Sequence, residues 1–283
     1  MSRDPSESSE SSRALPFETA QSSSVKSRLD DEGVLLVTLD RPARRNAFDD
    51  AQWDALSAVL AAAREDVRVA VVVLTGAGGH FSSGVDLASF SGRPAARADG
   101  HKSAFHAFVA TLFAFDKPLV AAVQGVAVGG GATIALACDF VYAGQSLRLR
   151  LPFASLGLVP EIASSYTLQA AIGRQRAAEL MLSAEWVDAA RAEALGLVAR
   201  VLPDAELLAA TLAKARAIAQ WPTSSLREIK RTLSLAHRAG IEAALRAEDE
   251  AMSRLAGSPE NVEAVTAFVQ KRAPDFKKFR RPA

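Results

Sequence analysis

A single glutamate stands in an apolar stretch near the middle of the chain. Glu161 directly follows Pro160, and its apolar neighbours are Leu156, Leu158, Val159 and Ile162. Such neighbours exclude water and raise the pKa of a carboxyl above its reference of about 4.3, which makes it a better base. Because proline suits the first helical turn, we expect Glu161 at the start of a helix. The alternative interpretation is an acid placed there only because the helix dipole favours it.

Two glycine-containing loops could supply main-chain N–H donors. They are Gly129-Gly130-Gly131, which follows an apolar run at residues 118–123, and Ser83-Gly84-Val85-Asp86. Each is predicted to follow a strand and precede a helix, where N–H groups are unpaired and carry partial positive charge. Two N–H groups from such loops can converge on one oxygen as an oxyanion hole. Taken alone, the triple glycine is equally consistent with a plain tight turn.

Other site chemistries lack their motifs. The glycine-rich loops have neither the Gly-Lys-Ser/Thr ending of a phosphate loop nor a GxGxxG register, and no Gly-x-Ser-x-Gly elbow is present. The four histidines, at 80, 101, 106 and 237, do not have the spacing that places two ligands on one helix face. We therefore expect no metal site and no nucleotide cofactor. Cys138, the single cysteine, has small apolar neighbours that favour a buried, inert thiol.

Composition limits the partners and the compartment. The chain has 283 residues, 49% of them hydrophobic, and a net charge of +1, so it can bury a large core and has no electrostatic reason to bind nucleic acid or an anionic membrane. A single cysteine allows no internal disulfide, which favours a reducing compartment. No apolar run approaches the roughly 18 residues of a membrane helix. Acidic residues near the N-terminus argue against a transit peptide, and we expect a cytoplasmic protein.

Strands that alternate with helices predict an α/β fold with mainly parallel pairing. We expect a disordered serine-rich tail at residues 1–27, an α/β core at 28–203 and a helical region at 204–283. The segment Gly92–Gly100 is predicted to be a mobile loop before a helix. Expected buried strands include Gly33–Leu39 and Val69–Leu74, and a helix of small residues is expected over Ala132–Cys138.

From about Gly33 to Lys277 the sequence resembles the enoyl-CoA hydratase/isomerase (crotonase) superfamily. The motifs that carry the resemblance occur in order along the chain: Arg41-Pro42-x-x-Arg45-Asn46-Ala47, His80-Phe81-Ser82-Ser83-Gly84-Val85-Asp86-Leu87, Lys117-Pro118 through Gly131, Cys138-Asp139, Leu195-Gly196-Leu197-Val198 and Phe268-Val269-x-Lys271-Arg272. The resemblance implies a crotonase-like spiral of β-β-α turns with a helical C-terminal region. It also implies homotrimers or hexamers and a role in fatty acid β-oxidation.

The resemblance further implies an acyl-CoA thioester as substrate, so that coenzyme A is part of the substrate and no separate cofactor is needed. The thioester oxygen would be held by the main-chain N–H groups of Val85 and Gly130, and Arg45 would meet the coenzyme A head group. The other positions implied to contact coenzyme A or the substrate are Ala47, Ser83, Gly84, Asp86, Leu87, Val126, Gly129 and Phe153.

The catalytic acids distinguish the subfamilies. Hydratases of this kind carry two glutamates, and the corresponding positions here hold Thr133 and Phe153. The stretch LGLVPEIASSYTL instead resembles Δ3,Δ2-enoyl-CoA isomerases, which use one acid at the place of Glu161, and their chromatin-associated relatives share it. The sequence therefore predicts an isomerase with Glu161 as catalytic residue. The alternatives are another family chemistry, with an acid such as Asp86 recruited, or a non-catalytic acyl-CoA-binding or scaffold protein.

Overall fold

The computed structural model describes residues 24–86 and 100–280, and the predicted α/β class is confirmed. The strands are β1 Val25–Leu29, β2 Val34–Leu39, β3 Val71–Gly76, β4 Leu119–Val123, β5 Val126–Val128, β6 Phe140–Gly144, β7 Arg148–Arg150, β8 Trp186–Asp188 and β9 Arg200–Leu202. The helices are α1 Asp50–Glu65, α2 Ala104–Ala114, α3 Gly130–Ala137, α4 Ser164–Ile172, α5 Arg174–Ser183, α6 Ala189–Leu195, α7 Asp204–Ala219, α8 Thr223–Leu235, α9 Arg238–Leu255 and α10 Pro259–Val269.

The main sheet has six strands in the order β1-β2-β3-β4-β6-β9. Only β1 and β2 pair antiparallel, and the remaining neighbours are parallel. The central strand β3 is buried along its whole length, as expected for a parallel strand covered on both faces. A smaller sheet, β5-β7-β8, combines a parallel and an antiparallel pair. The predicted mainly parallel pairing is therefore correct for the main sheet.

Successive residues of the main sheet point to opposite faces, and each face has its own helical cover. Val72 and Leu74 of β3 belong to the large core that includes buried side chains of α1 and α2. Val71 and Val73 point the other way, into a second core closed by Ala215 of α7. Because side chains alternate along β3, one face of this strand packs towards α1 and α2 and the other packs against α7, in the predicted C-terminal helical region.

The last helices differ in how they pack. Helix α8 has no buried residue, whereas α9 buries Ala244 and Glu248 and packs against α4. Within residues 24–86 and 100–280, no helix combines the length and the apolar character needed to span a bilayer.

Several predicted boundaries differ from the structure, and the strand expected at Val69–Leu74 lies at Val71–Gly76. Strand β1 starts at Val25, inside the predicted tail, because residues 25–29 pair with β2. Helix α3 begins at Gly130, two residues earlier than expected, since Thr133 N–H already bonds to the Gly129 carbonyl at 2.9 Å. Glu161 is not in a first helical turn, because α4 starts only at Ser164. The remaining tail residues and the predicted loop as far as residue 99 lie outside the described residues.

Candidate active site

The loop that ends at Asp86 is attached to the segment before α1 by two main-chain bonds. Phe48 N–H donates to the Gly84 carbonyl, and Asp86 N–H donates to the Phe48 carbonyl, each at 2.8 Å. In a parallel bridge of this kind, the residue between the two bonded groups turns its own N–H away from the partner strand. The N–H of Val85 therefore points away from Phe48 and can serve another acceptor.

The same loop is pressed against the start of α3. Gly84 has φ +86°, and a Cβ at this position would lie 2.5 Å from the Val128 carbonyl oxygen and 3.5 Å from Gly130 N. Both the left-handed backbone and this close approach require glycine. In addition, Val128 N–H donates to the Ser82 carbonyl at 3.0 Å. The two predicted donor loops are thus in direct contact.

Gly130 supplies the second unpaired donor. Its predecessor Gly129 has φ +52°, donates its N–H to the Arg150 carbonyl at 3.0 Å and forms the N-cap of α3. As the first residue of the helix, Gly130 has no carbonyl one turn earlier to accept its N–H. The partial positive charge of the helix N-terminus adds to the attraction for an oxygen that carries negative charge.

The Glu161 carboxyl lies beside Gly130 at the first turn of α3. Its Oε1 lies 3.0 Å from the point that a Cβ on Gly130 would occupy, and Trp53 Cη2 lies 3.6 Å from the same point. Oε1 is buried and has no hydrogen-bond partner among the described residues. Burial, and to a smaller extent the negative charge of the Glu248 carboxylate, together raise the pKa of Glu161 to about 7. The direction agrees with the prediction, but the contribution of Glu248 was not foreseen.

The turn that carries Glu161 has an unusual backbone. Ile162 and Ala163 have φ of +56° and +53°, in the left-handed region, and no side chain of its own caps α4. Glu248 of α9, with 7% of its surface exposed, accepts Ala163 N–H and Ser165 N–H at 2.8 Å each. The cap of α4 therefore comes from a distant helix.

Sequence analysis missed Glu248 because no local motif marks it. One signal was available. Ala244 and Glu248 are four residues apart and are the buried residues of α9, so a carboxylate lies on the packed face of an otherwise amphipathic helix. A charge in that position requires a buried partner.

Aromatic side chains form the wall beside Glu161. Trp53 stacks on Phe48 at 4.0 Å between ring centroids, and Phe105 and Phe108 lie 5.3 and 5.0 Å from Trp53. Trp53 is held in place because α1 is capped by Asp49, whose side chain accepts Gln52 N–H at 2.9 Å. These rings make the space next to the carboxyl apolar.

The other predicted contact residues lie on the loops around these groups. Arg45 is exposed with φ +48°, and its carbonyl accepts Ser83 N–H at 2.9 Å. Ala47 is buried and its carbonyl accepts a bond from Arg41, which also pairs with Asp86 at 3.3 Å.

Three further predicted positions complete the set. Val126 begins β5, and its N–H donates to His80 Nδ1 at 3.3 Å. Phe153 is buried, and its carbonyl accepts Leu158 N–H, so it supports the segment that leads to Glu161. Leu87 lies outside the described residues.

Neither position of the hydratase glutamates offers a carboxylate. Thr133 is buried and its Oγ1 donates within α3 to the Gly129 carbonyl at 3.2 Å. A cavity of about 330 Å3 at the other end of α3, lined by residues that include Ser164 and Cys138, contains none of Val85, Gly130 and Glu161. Burial raises the pKa of Cys138 to about 12, which agrees with the predicted inert thiol.

Within the described residues, no group of three or more His, Cys, Asp or Glu side chains is arranged to hold a metal ion.

Comparisons with known proteins agree with this architecture. The chain is 36% identical to the 2,3-dehydroadipyl-CoA hydratase of Escherichia coli over 246 residues, covering 86% of this chain and 95% of the relative. It is 34% identical to the 1,2-epoxyphenylacetyl-CoA isomerase of the same organism over 251 residues, covering 87% and 95%. Among solved structures, an enoyl-CoA hydratase/isomerase from Pseudoalteromonas atlantica matches with a TM-score of 0.84 at 35% identity, covering 89% of this chain and 99% of that one.

A family model described as enoyl-CoA hydratase/isomerase matches residues 30–280. That range includes both donor loops, the Glu161 turn and the helix that carries Glu248. The relatives include both hydratases and an isomerase, so they define the family and its acyl-CoA chemistry without separating the two reactions. The chain belongs to the enoyl-CoA hydratase/isomerase (crotonase) family.

Proposed function

We propose that the protein is an isomerase that moves the double bond of a 3-enoyl-CoA to the 2 position with Glu161 as its single acid–base residue. One observation carries the proposal. The Glu161 carboxyl is the group that meets the first turn of α3, with a buried Oε1 that has no donor among the described residues. A base in this state is ready to accept a proton from a ligand.

The thioester oxygen is the acceptor for the two main-chain donors. When the carbonyl of the substrate accepts N–H groups from Val85 and Gly130, charge that moves onto the oxygen is stabilised by dipoles that are already oriented. Each such donor contributes on the order of 3 kcal/mol to the transition state. The contact of the two loops at Gly84 supports this arrangement, because it brings the residue before Val85 close to Gly130 N.

Proton transfer then requires only one carboxyl. Glu161 removes a proton from C2, and the electrons move through C2 and C1 onto the thioester oxygen as a dienolate. The protonated Glu161 next delivers the same proton to C4, and the double bond is left between C2 and C3. A pKa of about 7 suits both halves, because the group exchanges a proton easily near neutral pH.

The comparison of Glu161→Gln with wild type tests the proposal. Glutamine keeps the shape of the side chain but cannot act as a base, so isomerisation of a 3-enoyl-CoA should fall by about 10²- to 10⁴-fold. The Kd for the acyl-CoA should change little, because the donors and the coenzyme A contacts remain. Formation of the conjugated thioester is followed by absorbance, and Kd by calorimetry.

Glu250→Gln is the matched control, since Glu250 is exposed on α9. It should retain wild-type rate and affinity. Full isomerase activity in Glu161→Gln would contradict the proposal.

Hydration of a 2-enoyl-CoA is the second candidate function, because relatives at 36% and 31% identity bear hydratase names. Against it, Thr133 and Phe153 offer no carboxylate to activate water. The same substrate panel includes a 2-enoyl-CoA, whose hydration removes conjugated absorbance. Binding of both thioesters without turnover would identify a non-catalytic acyl-CoA-binding protein.

The remaining predictions about substrate contacts and assembly belong with this proposal. Arg45 would bind the coenzyme A head group. The other positions that would contact coenzyme A or the substrate are Ala47, Ser83, Gly84, Asp86, Leu87, Val126, Gly129 and Phe153. The trimeric or hexameric state and the cytoplasmic location stay predictions, which gel filtration with light scattering and cell fractionation would test.

A further inference from the structure

The Glu161 turn depends on a residue from the C-terminal helices. A helix leaves its first N–H groups without partners, and a side chain just before the helix usually accepts one of them. Ala163 is the N-cap of α4 and has no side chain that can do so. Instead, the two oxygens of Glu248 accept Ala163 N–H and Ser165 N–H at 2.8 Å each.

The position of these bonds matters for Glu161. Ala163 is one of two consecutive non-glycine residues with positive φ, a conformation that costs roughly 1–2 kcal/mol for each L-residue. Such a conformation persists only where the surrounding structure enforces it. The Glu248 carboxylate accepts the N–H of Ala163, the last residue of this left-handed turn. Ser164 N–H donates to the Glu161 carbonyl at 3.0 Å across the same turn. The two bonds hold the turn on either side.

We infer that Glu248 is a positioning residue for the catalytic turn: its carboxylate fixes the left-handed Ile162–Ala163 backbone and so holds the Glu161 carboxyl against the first turn of α3. This inference rests on the proposed function for its catalytic consequence. The Glu248 side chain is bonded to main-chain N–H groups and acts through Glu161.

The charge of Glu248 has a second effect on the same neighbour. Two carboxylates near each other in a buried region repel, and the Glu248 carboxylate raises the pKa of Glu161. Burial raises the pKa of Glu248 itself, while its bonds from Ser165 and Ala163 oppose that rise because they favour the charged form. Glu161 Oε1, in contrast, has no hydrogen-bond partner among the described residues.

The other titratable groups near this part of α9 have their own partners. Asp249 binds Lys102 and, at 3.0 Å, His106 Nε2. On the α4 side, the Tyr166 hydroxyl and His237 Nδ1 are 3.1 Å apart. Within the described residues, no basic side chain forms an ion pair with Glu248, so the neighbouring charge that it acts on is Glu161.

Glu248→Gln tests the positioning role. An amide accepts only one of the two N–H bonds and presents a donor to the other N–H. We expect kcat for the isomerisation to fall by about 10- to 100-fold, since a small displacement of a catalytic group has effects of this size. KM should change little. In addition, the acidic limb of the kcat/KM profile should move to lower pH, because the like charge beside Glu161 is gone.

Two further variants separate position from charge and from simple loss of stability. Glu248→Asp keeps the charge but is one methylene shorter, so kcat should fall while the acidic limb stays near that of wild type. Glu250→Gln, on the exposed side of the same helix, should match wild type in both respects. Circular dichroism melts report folding, and if Glu248→Gln does not fold, Glu248→Asp decides the matter through kcat alone.

A titration that needs no turnover keeps this inference separate from the proposed reaction. The 13C shift of the Glu161 carboxyl, identified by its absence in Glu161→Gln, gives its ionisation midpoint in wild type and in Glu248→Gln. A lower midpoint in Glu248→Gln would show that the Glu248 carboxylate lies close to the Glu161 carboxyl, and this would support the inference even without turnover. Absence of turnover of a 3-enoyl-CoA would end the proposed function alone. Unchanged kcat, acidic limb and midpoint in Glu248→Gln would overturn the inference, as would wild-type kcat in Glu248→Asp.

Discussion

The main-chain donors and the carboxyl of the site meet at the first turn of α3 but are held in different ways. Gly84 and Gly130 belong to loops joined by main-chain bonds to Phe48, Ser82 and Arg150, all within the first part of the chain. Glu161 stands on a left-handed turn that is held by a carboxylate from α9. The loops of Gly84 and Gly130, here called the donor side, are thus held by main-chain bonds. The Glu161 turn, here called the base side, is held by a side chain from a remote helix.

The strongest test of the donor side is Gly84→Ala. A methyl group here would lie 2.5 Å from the Val128 carbonyl oxygen, so the loop must move and one donor is displaced. We expect kcat/KM to fall by about 10²- to 10³-fold, the typical effect of removing an oxyanion donor. The pH midpoint of the remaining activity, near the Glu161 pKa of about 7, should stay unchanged because the base side is intact.

Gly79→Ala is the control for this variant. Gly79 has φ +78°, similar to Gly84, but a methyl group there meets nothing within 4 Å. It reproduces the backbone strain without the clash. Equal losses of activity in both variants would show that strain, and not the contact between the loops, accounts for the effect.

Unlike the donor side, the base side should make the stability of the folded protein depend on pH. The pKa of Glu161 is raised from 4.5 to about 7 in the folded protein, so the folded state binds this proton more tightly than the unfolded state. The associated loss of stability is absent below pH 4.5, grows as pH rises through 7 and is complete above it. Glu161→Gln should therefore be more stable than wild type at pH 8, by up to about 3 kcal/mol.

Urea denaturation at pH 4 and pH 8 measures this difference. The two proteins should have similar free energies of unfolding at pH 4, and Glu250→Gln should match wild type at both values. Equal stability of Glu161→Gln and wild type at pH 8 would mean that the carboxylate is not desolvated in the folded protein.

The smallest expected effect is that of Arg41→Ala on the donor side. Arg41 binds the Ala47 carbonyl and pairs with Asp49 at 3.0 Å and with Asp86 at 3.3 Å. These groups are partly exposed and screened by solvent, so the loss of stability should be about 1 kcal/mol. Because the main-chain bonds at Phe48 remain, the rate should fall by less than about tenfold.

Arg254→Ala, at an exposed position of α9, is the matched control for the loss of an arginine. Thermal melts and kcat/KM for the same thioester measure both effects. A rate loss as large as that of Gly84→Ala would show that the donor loop depends on side chains as much as the base side does.

The positions of the two glycine loops on the donor side could be predicted from sequence because their requirements are local. A triple glycine before a helix and a glycine before Val85 are visible in the chain, and their main-chain contacts follow from the strands on which they end. The base side could be predicted only in part. Apolar neighbours marked Glu161, but the left-handed turn after it is formed by Ile162 and Ala163, residue types that do not favour positive φ.

Glu248 was not predicted because its role, too, depends on contacts that are distant in sequence. Its partners are main-chain N–H groups of α4, and a main-chain group leaves no trace in the sequence. The start of α4 at Ser164 lies next to this contact, whereas the proline at position 160 alone predicted an earlier start. Long-range contacts between a side chain and the backbone are the part of the site that local patterns cannot supply.

The location of Glu248 also sets an order of assembly during biosynthesis. A nascent chain that has emerged from the ribosome only as far as α6 already contains both donor loops and Glu161, but not the helix that caps α4. Because such a polypeptide also lacks α7, which closes the second core on Val71 and Val73, the sheet that carries the donor loops and the anchored base would be completed together, once translation has released the C-terminal helices.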